Sequence, residues 1–227
     1  MFGNLEALDR TKHLNLRLVA QNRLDFAADL MTAPLAGSEM VEMARHCPIV
    51  FPMEDCVPQA LMSLGGKRNA FLDDQARWTG GYLPAHIRRY PFILTEDKGR
   101  TFVLIERNAP HFSETEGERL FEDDGQPTKV LQQTIEYLTL FQAEGRATRA
   151  LFQRIADAGL LIEQEIKVED AAGKAHRING LRAISREKLD AVADETFLEW
   201  RKIGLLPLLY AHLSSLSNIS RIAHTIN

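Results

Sequence analysis

The sequence predicts an α+β fold: a mixed or antiparallel sheet, mainly from the N-terminal half, packed with C-terminal helices and a second β-hairpin. Three observations carry this. Short apolar runs bounded by proline and glycine fill the chain before residue 112. Helix-period apolar stripes follow from residue 128, and a second pair of alternating segments lies between 161 and 184. The 227 residues read as one domain, 1–227, with a soft internal boundary near 110–117.

The elements follow in order. His13 to Leu18 alternates apolar and polar residues as a half-buried strand does. Glu39 to His46 is a short helix with Met40, Met43 and Ala44 on one face. Ile49 to Phe51, between two prolines, is a brief strand. Gln59–Leu64 and Ala70–Leu72 read as two more strands, with Gly65-Gly66-Lys67 turning between them. Arg89–Thr95 and Thr101–Glu106 flank Glu96-Asp97-Lys98-Gly99-Arg100, a hairpin signal.

Ser113-Glu-Thr-Glu116 has the spacing of a capping box ahead of a short helix or turn through Phe121. A long helix is expected from about Thr128 to Ala143, striped by Leu131, Ile135, Leu138 and Phe141. Gly145 is expected to separate it from a second helix that Gly159 ends. The second hairpin runs from Leu161 to Val168 and Ala175 to Ile184, turning at Ala171-Ala-Gly173-Lys174. Ser185 caps a helix from Arg186 to Ala193, and helices follow at Glu195–Lys202 and Pro207–Ile222.

Composition excludes several classes. A net charge of -4 and a pI near 6.0 argue against a nucleic-acid binder, which would carry a basic face. The first residues show no basic region followed by an apolar stretch. The longest apolar runs, such as Ile203–Leu209, fall short of the roughly 20 residues a span needs. A cytoplasmic chain without a membrane span is the expectation, with Cys47 and Cys56 as reduced thiols. Histidine is not arranged for metal: His86 precedes Ile-Arg and His111 precedes Phe-Ser, and His46, Cys47 and Cys56 lack a second ligand pair. No metal, cofactor or catalytic constellation is expected. Neither a P-loop, a Gly-x-Gly-x-x-Gly helix start nor a Gly-x-Ser-x-Gly elbow occurs.

The densest cluster of special residues is Trp78 to Phe92, holding Trp78, Gly80-Gly81, Tyr82, Pro84, His86, Arg88, Arg89, Tyr90 and Pro91. Gly80-Gly81 reads as a turn needing positive φ. If residues 88–94 form a strand, Arg88 and Arg89 point to opposite faces, and the inward one needs a negative partner. That partner is a carboxylate such as Asp73, Asp74, Glu96 or Glu106, making an ion pair, or an anionic ligand. In the second case Trp78, Tyr82 and Tyr90 wall the site, Arg88 or Arg89 is the fork, and His86 adds a hydrogen bond. The leucine-rich stretch from Trp200 to Ile222 reads as core packing, with a homodimer surface as the alternative.

These residues carry a resemblance. Pro48-Ile-Val-Phe51, Asn69-Ala-Phe71, Trp78 with Tyr82-Leu-Pro84-Ala, and Arg88-Arg89-Tyr90-Pro91-Phe92 match one family. So do Leu120-Phe121 before Asp124-Gly125, Gly180-Leu181, and Tyr210-Ala-His212-Leu213-Ser214-Ser215-Leu216. The chain resembles the SapC family of bacterial S-layer-associated proteins, distinct from the peptide-transport permease of similar name. The resemblance implies a link to surface layers, and to gene neighbourhoods with TonB-dependent outer-membrane receptors and flavin-dependent halogenase-like proteins. It supplies no catalytic residues. The expected function is a soluble accessory or binding protein for a TonB-dependent uptake or modification system, taking a small anionic ligand or a protein partner. An enzyme or enzyme subunit acting on a small acidic or peptide substrate, and an S-layer-associated structural protein, are the alternatives.

Overall fold

The computed structural model describes residues 1–64, 68–169 and 175–223. In chain order the elements are β1 (Leu5–Ala7), β2 (Arg17–Leu18), β3 (Thr32–Pro34), α1 (Gly37–Met43), β4 (Ile49–Pro52), β5 (Gln59–Leu61), α2 (Ala85–Arg88), β6 (Phe92–Asp97), β7 (Arg100–Glu106), β8 (Phe112–Ser113) and β9 (Glu118–Arg119). The long helix α3 (Lys129–Asp157) follows, then β10 (Leu161–Glu163), β11 (Ile166–Glu169), β12 (Ala175–Ile178), β13 (Leu181–Ile184), α4 (Arg186–Asp190), α5 (Asp194–Lys202), α6 (Leu206–Ser215) and α7 (Ile219–Ala223). The fold is α+β and its strand pairings are antiparallel.

The largest sheet has the order β10-β13-β4-β5-β3. The C-terminal β10–β13 pair therefore extends a sheet begun by N-terminal strands, through Arg182 opposite Phe51. Its apolar face packs on α1, α5, α6 and the C-terminal half of α3 around Met40, Phe51, Phe152, Trp200 and Leu209. A second apolar cluster joins β6 and β7 to the N-terminal half of α3 around Phe92, Ile105, Leu131 and Leu138. Helix α3 thus spans both clusters. The β6–β7 hairpin turns at Lys98 and Gly99, both at positive φ, where the sequence expects a turn.

Several local readings are corrected. The predicted helix break at Gly145 does not occur; α3 runs for 29 residues. One interior glycine costs about 1 kcal/mol of helix propensity, and burial of Leu131, Leu138, Phe152 and Ile155 outweighs it. Of His13–Leu18 only Arg17–Leu18 is strand. Asp9 Oδ1 accepts from the N–H groups of Thr11 and Lys12, and the Asp9 N–H donates to His13 Nδ1, so a local turn wins. Ala70–Leu72 likewise turns. Asn69 Oδ1 accepts from the Phe71 N–H, and only Leu72 makes a bridge, to Trp78. Ser113 Oγ accepts from the N–H groups of Thr115 and Glu116, but the chain enters β9 and not a helix. The predicted helix Pro207–Ile222 is divided into α6, a 3₁₀ turn at Leu216–Asn218 and α7.

Ser185 caps α4 as expected, accepting from the Lys188 N–H, and Thr128 caps α3, accepting from the Leu131 N–H. The C-terminal leucines do enter the core, with Leu205 and Leu209 fully buried. The turns read at Gly65-Gly66-Lys67 and Ala171-Ala-Gly173-Lys174 lie outside the described residues.

Candidate functional site

Pro84 starts α2 without a side-chain acceptor, so the helical turn needs an N-cap from elsewhere. Glu39 of α1 supplies it: its Oε1 accepts from the Ala85 N–H at 2.7 Å and from the Tyr82 hydroxyl at 3.0 Å. Its other oxygen accepts from the Ala36 N–H at 2.9 Å, closing the start of α1. This carboxylate is buried, at 4 % exposure, and joins two helix starts.

Arg88 and Arg89 therefore lie on a helical turn and not on a strand, since β6 begins only at Phe92. They diverge by a helical step. Arg88 is exposed: its Nε donates to Leu83 O and an Nη to the Tyr82 hydroxyl, both at 3.0 Å, and it reaches Glu39 Oε1 at 3.9 Å. Burial and the Glu39 carboxylate push the Tyr82 hydroxyl up to about 12, so it stays a neutral donor.

Arg89 is half-buried. Its guanidinium carbon lies 5.0 Å from the Phe141 ring centre and 5.3 Å from that of Phe2. Among the described residues it makes no ion pair, and its Nε is buried with no hydrogen-bond partner. The carboxylates expected to pair an inward arginine are engaged elsewhere. Glu106 accepts from the N–H groups of Gly3 and Asn4, Asp73 binds Arg77, Asp74 faces Arg68, and Glu96 is exposed. Burial works against the Arg89 charge. Burial and then the neighbouring Arg89 charge push the His86 imidazole down to about 4, so it is neutral near pH 7.

Tyr90 is buried and stacks on Phe26 at 3.8 Å, with His111 edge-on at 5.1 Å. A cleft of about 460 Å³ opens beside Arg88, Arg89 and Tyr90, between Leu18–Gln21 and the α3 residues Gln133, Thr134 and Tyr137.

Trp78 and Tyr82 do not line this cleft. Trp78 stacks on Phe71 at 5.3 Å, and Thr79, Gly80 and Gly81 line a separate cleft of about 210 Å³ with His46. Neither Gly80 nor Gly81 has positive φ. Their reason is close approach: a Cβ on Gly80 would sit 2.8 Å from Trp78 Nε1, and one on Gly81 2.4 Å from His46 Cε1.

The Trp78–Phe92 run thus distributes its special residues over several environments. Glu39, Phe141, Tyr137 and His111 were not read as site residues. A signal for Glu39 existed: it lies four residues before Met43, which puts a carboxylate on the apolar stripe of α1.

Other titratable groups have structural partners. The buried Ser215 hydroxyl donates to His212 O and accepts from the Ile49 N–H at 2.9 Å, while His212 Nε2 accepts from the Ile184 N–H at 3.0 Å. That pair ties α6 to β4 and β13 and is not a nucleophile with its base. Cys47 and Cys56 are free thiols, Cys47 donating to Leu61 O. Among the described residues no group of three or more His, Cys, Asp or Glu could hold a metal ion, and no helix is long and apolar enough to cross a membrane.

The SapC family model matches residues 8–222, which takes in every element around the Arg89 cleft. The chain belongs to the SapC family. No curated protein and no solved structure matches it. As a SapC chain, its family run Arg88-Arg89-Tyr90-Pro91-Phe92 is the segment that turns from α2 into β6 and forms one wall of the cleft.

Proposed function

We propose that this SapC chain is a cytoplasmic accessory protein that binds a small anionic ligand, a carboxylate in the first instance, in the cleft at Arg88 and Arg89. It serves a TonB-dependent outer-membrane uptake or modification system. The observation that carries the ligand is Arg89. Leaving a guanidinium half-buried without a carboxylate is costly, and stacking on Phe2 and Phe141 offsets only about 1–2 kcal/mol. An anion entering the adjoining cleft supplies the missing charge and a bidentate acceptor. The TonB context comes from the family and not from the cleft.

Titration calorimetry with 3-phenylpropionate, malonate and inorganic phosphate tests the ligand. At least one should bind, and Arg89→Gln should weaken it roughly tenfold or more. Absence of binding by all three, or unchanged affinity in Arg89→Gln, overturns the reading. Cross-linking and mass spectrometry from the native bacterium tests the partner system, which fails if no outer-membrane receptor component is captured.

A further inference from the structure

Three features of the same cleft specify more than an anion. First, Glu118 lines it as well, from the β9 strand. Glu118 is the register partner of Leu18, which also lines the cleft, so their side chains share a face. Glu118 is exposed and has no ion pair among the described residues.

Second, the two charges sit toward opposite ends. The Thr128 hydroxyl donates to Arg119 O at 2.7 Å, which fixes β9 beside the first turn of α3. The arginines pack further along that helix, Arg88 over Tyr137 at 5.6 Å and Arg89 over Phe141 at 5.0 Å. From Val130 to Tyr137 and Phe141 the helix rises about 10 to 16 Å.

Third, the wall between them is main chain. Ala20 and Gln21 line the cleft, and neither makes a backbone–backbone hydrogen bond among the described residues. Such a segment offers free N–H and C=O groups to a ligand that has its own. Leu18, Val19, Phe92 and Val130 add apolar contact.

Resting on the anion-binding reading, we infer that the ligand is a free short peptide of about three to five residues. Its C-terminal carboxylate meets Arg89, its backbone runs along Ala20 and Gln21, and its N-terminal ammonium meets Glu118. Three to five extended residues span about 10 to 17 Å, which covers the rise of α3 between the two ends. An isolated amino acid is too short to reach both ends, and the C-terminal tail of a larger protein has no ammonium to offer Glu118.

The test uses the intact chain and titration calorimetry with four probes: the tripeptide Ala-Leu-Phe, its C-terminal amide, its N-acetyl form, and 3-phenylpropionate. The free tripeptide should bind at least tenfold tighter than 3-phenylpropionate. Amidation should weaken it roughly tenfold and acetylation several-fold. Glu118→Gln should abolish the difference between the free and acetylated peptide, and Arg89→Gln that between the acid and the amide.

Equal binding of acid and amide overturns the carboxylate assignment in the unaltered protein, whatever the variants do. Equal binding of the acetylated form overturns the free-peptide assignment and favours a protein tail. Binding of 3-phenylpropionate with no gain for the tripeptide overturns the peptide and leaves the anion reading standing. Failure of every probe overturns the peptide, and the anion reading falls with it when malonate and phosphate also fail to bind.

Discussion

Glu39 caps α2 from a helix 46 residues earlier in the chain, holds the Tyr82 hydroxyl, and closes the start of its own helix. Three donors converge on one buried carboxylate, so its removal strands several of them at once. Glu39→Ala should destabilise the protein by about 3 kcal/mol, while Glu39→Gln, which keeps one acceptor oxygen, should cost less. Urea denaturation compares the two. A Glu39→Ala midpoint equal to that of the unaltered chain would remove Glu39 from this role. Arg89 is the complementary case, a charge whose surroundings are aromatic and not acidic. Its side chain is legible in the sequence only as one of two adjacent arginines. Which of them is satisfied depends on Glu39, and no local pattern links Glu39 to residue 88.

Helix α3 shows the same division one scale up. Its apolar stripe and its Thr128 cap are readable because they involve residues within a turn of one another. Gly145 misleads because propensity is local, whereas the helix is held by two apolar clusters, one on each half. A Cβ added at Gly145 meets nothing within 4 Å. Gly145→Ala should therefore stabilise the protein by about 0.5–1 kcal/mol, measured as a rise in the urea midpoint with an unchanged slope. A fall in the midpoint would mean that the glycine serves a bend or a contact. The start of the strand predicted from Arg89 and the segment around Ala70 fail for a related reason. Hydrogen bonds that Glu39 and Asn69 accept from main-chain N–H groups compete with sheet pairing, and pattern reading does not weigh them.

At the scale of the molecule, three histidines are held neutral by burial. His212 and His86 are pushed down to about 4 from an ordinary value of 6.5, and His111 is lowered for the same reason. The folded values lie below the unfolded ones. Stability is therefore full above pH 6.5 and is lost as pH falls toward 4, because the unfolded chain takes up protons that the folded chain refuses. His212 and His86 each contribute up to about 1.4 kcal/mol per pH unit in that window. The carboxylates with lowered values, such as Asp55 and Glu106, lose their contribution as pH falls below their ordinary values of 3.8 and 4.5. Denaturation midpoints should fall clearly between pH 7 and pH 5, and His212→Gln should flatten part of that slope. A midpoint unchanged over this range would contradict the burial of these imidazoles as neutral groups.

Elements whose signals lie within a few residues were determined by the chain alone: the hairpin at Lys98-Gly99, the caps at Thr128 and Ser185, the apolar face of α3, the glycine that ends it, and the family run from Trp78 to Phe92. Short-range sterics and hydrogen bonding set each of these, and they act wherever the segment sits. The tertiary structure alone decided that β13 completes the sheet of β4, that Gly80 and Gly81 yield space to Trp78 and His46, and that Arg89 lines a cleft with its buried Nε unpartnered. Those outcomes depend on which distant surfaces meet, because burial and charge pairing are properties of the assembled core and not of any stretch of sequence.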